Sequence, residues 1–422
     1  MEDLALSHQS GGDDRGALAC RSCRTNGLRT FLDLGRTPLA DALVDLNELD
    51  EPDETFPLVV AFCEECALVQ LLGEVPPEKL FVDNYLYFSS FSDELLEHAR
   101  RHAVDLAERR GLGERSLVVE LASNDGYLLR NFVDRGIPVL GIDPAPAQAK
   151  AAEAAGVPTI PEFFDAEVAR RLVSEGYRAD VILANNVMAH VPDLNAFVAG
   201  MSILLRDDGV VTVENPYVRD LIENVEFDTI YHEHFSYFSC TAVDRLVRRH
   251  GMFLNHVDYF PRLHGGTLRW WIGKREEPSN EVRRYLEDEA ALEMTAYGYY
   301  QGFADRVAVI KADLLELLHR LRDQGGRIAA YGAAAKGSTL LNYMGIGRDV
   351  IEFVVDRNVH KQGLAMPGVH IPIRDPQALL DEQPDYVLLL AWNFKDEIIR
   401  QQADYRRAGG RFIVPLPVPS VI

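Results

Sequence analysis

The sequence contains no apolar run long enough to cross a bilayer, which argues against a helical membrane span. It is short of cations, with 43 Lys and Arg against 65 Asp and Glu and a formal net charge of −22. No basic, aromatic-interleaved stripe interrupts that acidity. Neither a nucleic-acid partner nor a membrane partner is expected, although a local basic pocket for a phosphorylated small molecule remains compatible. Cysteine is scarce, five in 422 residues, and four of the five fall into two C-x-x-C pairs. That usage argues against a disulfide framework and for metal or redox chemistry in a reducing compartment. No low-complexity segment or clear internal repeat stands out. The first residues, Met1 to Gly16, mix Ser, Gly, Asp, Glu and His without an apolar signal core. They read as a flexible leader, and the protein as cytoplasmic.

What is present divides into blocks, because 422 residues exceed one compact core. After the leader (1–17), residues 18–87 hold the cysteine pairs among short strands and turns. Residues 88–279 open with a helical pattern over Asp93 to Arg110, ended by Gly111. They then alternate strand candidates at Leu117–Leu121, Pro138–Ile142, Val181–Ala184 and Val210–Glu214 with amphipathic stretches. This β-α rhythm predicts an α/β domain with a parallel sheet and helices on both faces. Residues 280–422 begin with a charged, tyrosine-rich helical stretch to about Gln324. Strand candidates follow at Arg327–Tyr331, Ile351–Val355, Tyr386–Leu390 and Arg411–Pro415, which predicts a second, smaller α/β unit.

Cys20-Arg-Ser-Cys23 and Cys63-Glu-Glu-Cys66 are separated by 39 residues. Two residues between cysteines let both thiolates of a knuckle turn onto one ion, and two knuckles complete a tetrahedral site. This predicts a structural zinc with no open position for chemistry. A thioredoxin-like pair is disfavoured, since neither C-x-x-C opens a helix within a β-α-β unit.

The run Glu120-Leu-Ala122-Ser-Asn124-Asp-Gly126 starts at the end of the first core strand and precedes a helix from about Leu128. Small residues and a glycine let backbone approach a ligand, and the helix N-terminus offers unpaired N–H groups. A dinucleotide site would prefer G-x-G-x-x-G here to admit pyrophosphate. One glycine and the acid Glu120 suit instead a cofactor with an ammonium group and a ribose but no phosphate, as in S-adenosylmethionine. Asp143, followed by Pro144, lies 23 residues after Glu120, at a strand end where a carboxylate can take both ribose hydroxyls. Phe163 and Phe164 are candidates for an adenine pocket, and Asn186 and Met188 follow the next strand. The plainer alternative is a Rossmann-like sheet whose strand-end acids merely cap helices.

In the C-terminal unit, the run from Ile328 through Gly332, Lys336 and Gly337 reads as strand, small-residue loop and helix. Such a loop admits a diphosphate, with a lysine to neutralise charge. Tight packing of a helix on a sheet explains the same small residues.

The order E-L-A-S-N-D-G, G-I-D-P, A-N-N-V-M-A-H-V-P and Y-H-E-H-F-S-Y-F-S, behind a four-cysteine head, resembles the sugar C-methyltransferase family. Its members act on nucleotide-linked 4-keto-deoxysugars for antibiotic glycosylation. The resemblance spans nearly the whole chain after the leader. It implies a zinc-binding head, a class I methyltransferase Rossmann-like core and a second, smaller Rossmann-like C-terminal domain that helps bind a nucleotide-sugar substrate. It also implies His234 as the base that removes a proton beside the ketone, a task suited to a group titrating near neutrality. Tyr231, Glu233 and His190 become supporting groups. Tyr85 is the expected partner from the head, with Tyr87 as the alternative and Ser90 beside it on the substrate side. Competing readings are methylation of another metabolite at oxygen or nitrogen, a nicotinamide oxidoreductase using the C-terminal loop, and a zinc-bearing interaction protein on a defunct fold.

Overall fold

The computed structural model describes residues 19–49, 52–81, 87–263 and 265–422. The leader and Tyr85 lie outside the described residues.

The core sheet has seven strands in the order Phe253–Phe260, Thr267–Gly273, Leu205–Pro216, Ala179–Asn185, Val118–Leu121, Val139–Ile142, Thr159–Ile160. The last five run parallel, while the first two add an antiparallel hairpin at one edge. Val118–Leu121 is buried throughout, as expected for a strand covered on both faces. The chain leaves it to build Val139–Ile142 and Thr159–Ile160 on one side, then returns to build Ala179–Asn185 and Leu205–Pro216 on the other. The loops after Val118–Leu121 and Ala179–Asn185 therefore meet at a topological switch point, where open α/β sheets bind ligands.

Helix Asp93–Arg110 forms where the sequence predicts it. Ser92 caps its first turn through Leu95 N–H, acids open it, Arg109 and Arg110 close it, and Gly111 ends it at φ 60°. Leu95, His98, Ala99, His102, Ala103 and Leu106 form its buried stripe. The helix expected from Leu128 shrinks to Arg130–Val133, with turns before it.

The C-terminal unit carries a six-stranded sheet in the order Ile373–Arg374, Val354–Val355, Ile328–Tyr331, Tyr386–Leu389, Arg411–Val414, Ser420–Val421. All its pairings are parallel except the last.

The head sheet joins Arg29–Pro38, Thr55–Phe62 and Val69–Leu71 to Ser236–Tyr237, a strand supplied by the core. A second small sheet pairs Val44–Asp45 of the head with Leu364–Ala365 of the C-terminal unit. Among the described residues no helix is long and apolar enough to cross a membrane.

Candidate active site

The Sγ atoms of Cys20, Cys23, Cys63 and Cys66 all lie within 4.8 Å of one another, with Cys20–Cys66 and Cys23–Cys63 each at 3.5 Å. A tetrahedron with Zn–S bonds of ~2.3 Å has edges of roughly 3.8 Å, so the four sulfurs fit one zinc ion. Proton sharing among thiols this crowded drives Cys63 far below the usual thiol range and Cys66 far above it. A dication resolves that conflict by taking all four as thiolates. Gln70 Nε2 donates to Cys20 Sγ at 3.2 Å, and Gln70 Oε1 accepts from Arg21 N–H at 3.0 Å. The second knuckle sits between Thr55–Phe62 and Val69–Leu71. Val69–Leu71 pairs with Ser236–Tyr237, so the head sheet that carries the second knuckle continues into the strand that follows His234.

The cofactor loop takes an unusual backbone path, with φ +56° at Ala122, +48° at Asn124 and +76° at Gly126. Asn186, across the switch point, stands at +53°. Left-handed residues cost about 1–3 kcal/mol each when they are not glycine, and they persist where the surroundings over-determine them, commonly at ligand sites. Around this loop Glu120 Oε2, Asp125 Oδ1, Asn185 Oδ1 and Asn186 Oδ1 are buried without hydrogen-bond partners among the described residues. Four unanswered acceptors suit a ligand that brings donors and positive charge. S-adenosylmethionine, with its ammonium, sulfonium and ribose hydroxyls, meets that requirement.

Asp143 uses Oδ2 to accept from Asn124 N–H at 2.8 Å and Oδ1 to accept from Ala145 N–H at 2.9 Å. Burial pushes it up to about 6 against the pull of those donors. Each oxygen keeps a second lone pair for a ribose hydroxyl. Asp143→Asn is expected to weaken S-adenosylhomocysteine binding by about 2 kcal/mol, roughly thirtyfold in Kd. Titration calorimetry on the two proteins checks this, and an unchanged Kd would remove Asp143 from the site.

Other expected ligands are placed differently. Glu120 is only 1% exposed and turns beneath the loop toward Leu129 N–H; burial and the nearby Asp143 hold its carboxyl well above the usual range. Its Oε2 is therefore a floor to the site rather than its rim. Phe163 is exposed at the surface, whereas Phe164 is half-buried and packs edge-on against Phe197 and closely over Gly200. The Met188 side chain is buried in the core, which leaves only its backbone for a cofactor. Pro144 is half-buried beside Asp143. Ser90 N–H donates to Asp125 Oδ2 at 3.2 Å. Ser89 N–H donates to Asn124 Oδ1, and the Tyr87 carbonyl accepts from Asn124 and Gln148. Tyr87 to Ser90 thus form a strap over the cofactor loop, and Ser90's backbone serves that loop.

Tyr231, Glu233, His234 and His190 converge. His234 Nδ1 lies 2.9 Å from the Thr229 carbonyl. A carbonyl can only accept, so Nδ1 carries the proton and Nε2 is the lone-pair nitrogen. Tyr231 Oη lies 3.0 Å from that Nε2, with ring centroids 4.0 Å apart. The His190 ring sits 4.7 Å from that of His234, and burial pulls its pKa down to about 4, so it is neutral. Glu233 is pushed up to about 8 by burial and by Asp41. It is therefore a neutral carboxylic acid at pH 7, able to donate. His232 faces away, edge-on to Phe56 of the head.

In the C-terminal loop the expected phosphate residues are packed and paired within the protein. A Cβ on Gly332 would meet Ala391 at 2.8 Å, and one on Gly337 would meet Leu390 at 2.9 Å, so both glycines serve close packing. Lys336 Nζ donates to Asn393 Oδ1 at 2.9 Å, lies 4.7 Å over the Trp392 ring and faces Asp228 and Glu226. Those acids already balance its charge. The Ala333 N–H is taken by Asp356 Oδ2 and the Ala333 carbonyl by Lys361 Nζ, each at 2.7 Å.

Some site residues escaped the sequence reading. Asp41 and Lys361 bring charge from the other two domains to Glu233. His98, Arg269 and Glu214 form a buried network behind Asn186, whose N–H donates to the Glu214 carbonyl. Asp41 and Lys361 sit in no recognisable motif, and they meet only because the head packs on the C-terminal unit, through the pairing of Val44–Asp45 with Leu364–Ala365 and the Ser338 hydroxyl bond to the Ala40 carbonyl.

Family models match three stretches in order: a zinc binding domain at residues 20–81, a methyltransferase domain at 95–256 and a C-methyltransferase C-terminal domain at 262–417. C-methyltransferase NovU of Streptomyces niveus is 39% identical over 408 residues, covering 96% of this chain and 96% of that protein. The ubiquinone biosynthesis O-methyltransferase of Methylobacterium nodulans is 33% identical over 98 residues, 22% of this chain and 38% of that protein. Among solved structures, magnesium protoporphyrin IX methyltransferase from Synechocystis with bound S-adenosylhomocysteine aligns at 11% identity and a TM-score of 0.35, over 47% of this chain and 92% of its own. With its zinc-binding head, class I methyltransferase Rossmann-like core and C-terminal domain, the chain belongs to the S-adenosylmethionine-dependent C-methyltransferase family that includes NovU.

Proposed function

We propose that the enzyme methylates a ring carbon beside the ketone of a nucleoside-diphosphate 4-keto-deoxysugar, with thymidine as the leading nucleoside, in natural-product sugar biosynthesis. The observation that carries this reading is the His234 tautomer. Its Nδ1–H is committed to the Thr229 carbonyl, which makes Nε2 the lone-pair nitrogen that can take a proton. Carbon methylation needs such a base, whereas an oxygen or nitrogen acceptor already holds a lone pair.

His234 Nε2 takes the proton from the carbon beside the ketone, and the C–H electron pair becomes the enolate double bond. Tyr231, whose hydroxyl meets Nε2 when no sugar is present, turns its donor to the ketone oxygen. Glu233, neutral and buried, supplies a second donor to the developing oxyanion. His190 keeps a neutral ring against His234, so it adds no charge that would depress the base. S-adenosylmethionine supplies the electrophilic methyl and leaves as S-adenosylhomocysteine. In-line positioning supplies much of the acceleration.

The deciding experiment incubates the zinc-loaded protein with methyl-labelled S-adenosylmethionine and a panel of thymidine-diphosphate 4-keto-deoxysugars. Carbon-bound label on a sugar is the expected result. Label on oxygen or nitrogen, or none across the panel with transfer to a non-sugar acceptor, would sink the reading.

A further inference from the structure

The carbonyl that fixes the His234 tautomer sits at the end of a short turn, Phe227–Thr229. The turn's own bonds are local: the Thr229 N–H and hydroxyl both donate to the Glu226 carbonyl, at 3.1 and 2.7 Å. One turn of this kind has poor hydrogen-bond geometry and does not hold its own orientation. The C-terminal unit grips it on both sides of Thr229. Trp392 Nε1 donates to Asp228 Oδ2 at 2.7 Å, and Thr339 Oγ1 donates to the Ile230 carbonyl at 3.1 Å. The Tyr343 ring packs edge-on against Phe227, with centroids 5.4 Å apart.

Both donors come from one edge of the C-terminal sheet. Trp392 follows strand Tyr386–Leu389, and Thr339 lies on helix Ala335–Met344, which follows the neighbouring strand Ile328–Tyr331. Asp228 and Thr339 are buried, so a partner lost there is not readily replaced by water. At the imidazole, the Tyr231 hydroxyl 3.0 Å from Nε2 can donate or accept, so it does not choose a tautomer. The Thr229 carbonyl can only accept, and at 2.9 Å it keeps the proton on Nδ1.

We propose that Trp392 and Thr339 are positioning residues for His234. By holding the residues on either side of Thr229, they aim its carbonyl and keep the lone pair on Nε2. They act through the turn rather than on the imidazole, so the C-terminal unit takes part in proton removal without supplying the base. The kinetic consequence rests on the reading of His234 as the base; the tautomer assignment does not.

The test applies nitrogen NMR to the full zinc-loaded chain carrying isotope-labelled histidine, without sugar, at a pH where the imidazole is neutral. The His234 signals are assigned by their loss in His234→Ala. The wild type should show a protonated Nδ1 and a lone pair on Nε2. Trp392→Phe and Thr339→Val each remove one donor while keeping most of the bulk. In the double variant His234 should show a substantial share of the opposite tautomer. Thr339→Ser, which keeps a hydroxyl, should retain the wild-type signals. In the methyl assay the double variant should lose roughly ten- to hundredfold in kcat, the scale of a misplaced reacting group. KM and S-adenosylhomocysteine affinity should change by less than about threefold. Wild-type nitrogen signals in both single variants and the double variant would overturn the proposal whatever happens to the rate. A loss of kcat matched by a loss of cofactor affinity would overturn it too. Should the double variant not fold, the single variants carry the same comparison. A shifted tautomer with unchanged kcat, or with no sugar labelled by the wild type, would defeat the reading of His234 as the base of sugar methylation and leave the positioning assignment standing.

Discussion

Replacing His234 by alanine is expected to lower carbon methylation by roughly 10²- to 10⁴-fold, the range of a positioned general base. The variant should bind S-adenosylhomocysteine as the wild type does, because the cofactor loop is held by bonds that do not involve His234: Asn124 N–H to Asp143, and Ser89 and Ser90 to Asn124 and Asp125. The sharper readout is proton exchange. In deuterated buffer with S-adenosylhomocysteine in place of the methyl donor, the wild type should exchange the hydrogen beside the ketone, and His234→Ala should not. Tyr231→Phe provides the contrast. It keeps the ring that lies 4.0 Å from the imidazole but removes the hydroxyl, so proton removal should weaken by far less than in His234→Ala. Exchange that persists in His234→Ala would place the base elsewhere. Exchange absent even from the wild type would speak for an oxygen or nitrogen acceptor.

These expectations could be framed from sequence because the chemistry is concentrated in one run. Tyr231 to Tyr237 is short, dense in proton-transfer groups and fixed in register, so reading it required no long-range folding. The parallel core was legible for a similar reason. Val118–Leu121, Val139–Ile142 and Ala179–Asn185 are apolar runs bounded by turn residues. The hairpin of Phe253–Phe260 and Thr267–Gly273 was not assigned, because its pattern is misleading. Thr267–Gly273 is buried at every position yet includes Arg269, whose guanidinium is balanced by Glu214 from the neighbouring strand. A buried arginine is intelligible only once its partner is known. The small residues from Gly332 to Gly337 are ambiguous in sequence: close packing on Ala391 and Leu390 demands the same missing Cβ as a ligand would. Which way Lys336 points depended on Glu226 and Asp228, more than a hundred positions away. The strap from Tyr87 to Ser90 was invisible too, since it is held through backbone groups that every sequence has.

Stripping the zinc is expected to abolish methyl transfer while leaving the cofactor site largely intact. Removing an ion that contributes about 10–16 kcal/mol in comparable four-ligand sites releases both knuckles. The effect does not stop at the head, because Val69–Leu71 begins three residues after Cys66 and pairs with Ser236–Tyr237, which begins two residues after His234. The Leu71 N–H also donates to the Phe235 carbonyl at 3.0 Å, one residue from the proposed base. Loosening that pairing lets His234 and Glu233 drift, and a displacement of about 1 Å at a reacting group costs on the order of 10²-fold in rate. The cofactor loop rests on the core sheet and on Asp143, neither of which pairs with the head sheet, so S-adenosylhomocysteine affinity should change by less than about threefold, under ~0.7 kcal/mol. The measurement combines chelation, metal analysis, calorimetry with S-adenosylhomocysteine and the labelled methyl assay, followed by zinc re-addition. Undiminished transfer by a metal-free protein would show that the head braces nothing. Affinity lost in step with activity would show that the zinc holds up the cofactor site as well. Transfer lost, affinity kept and transfer restored by zinc would establish the head as the mount of the catalytic segment.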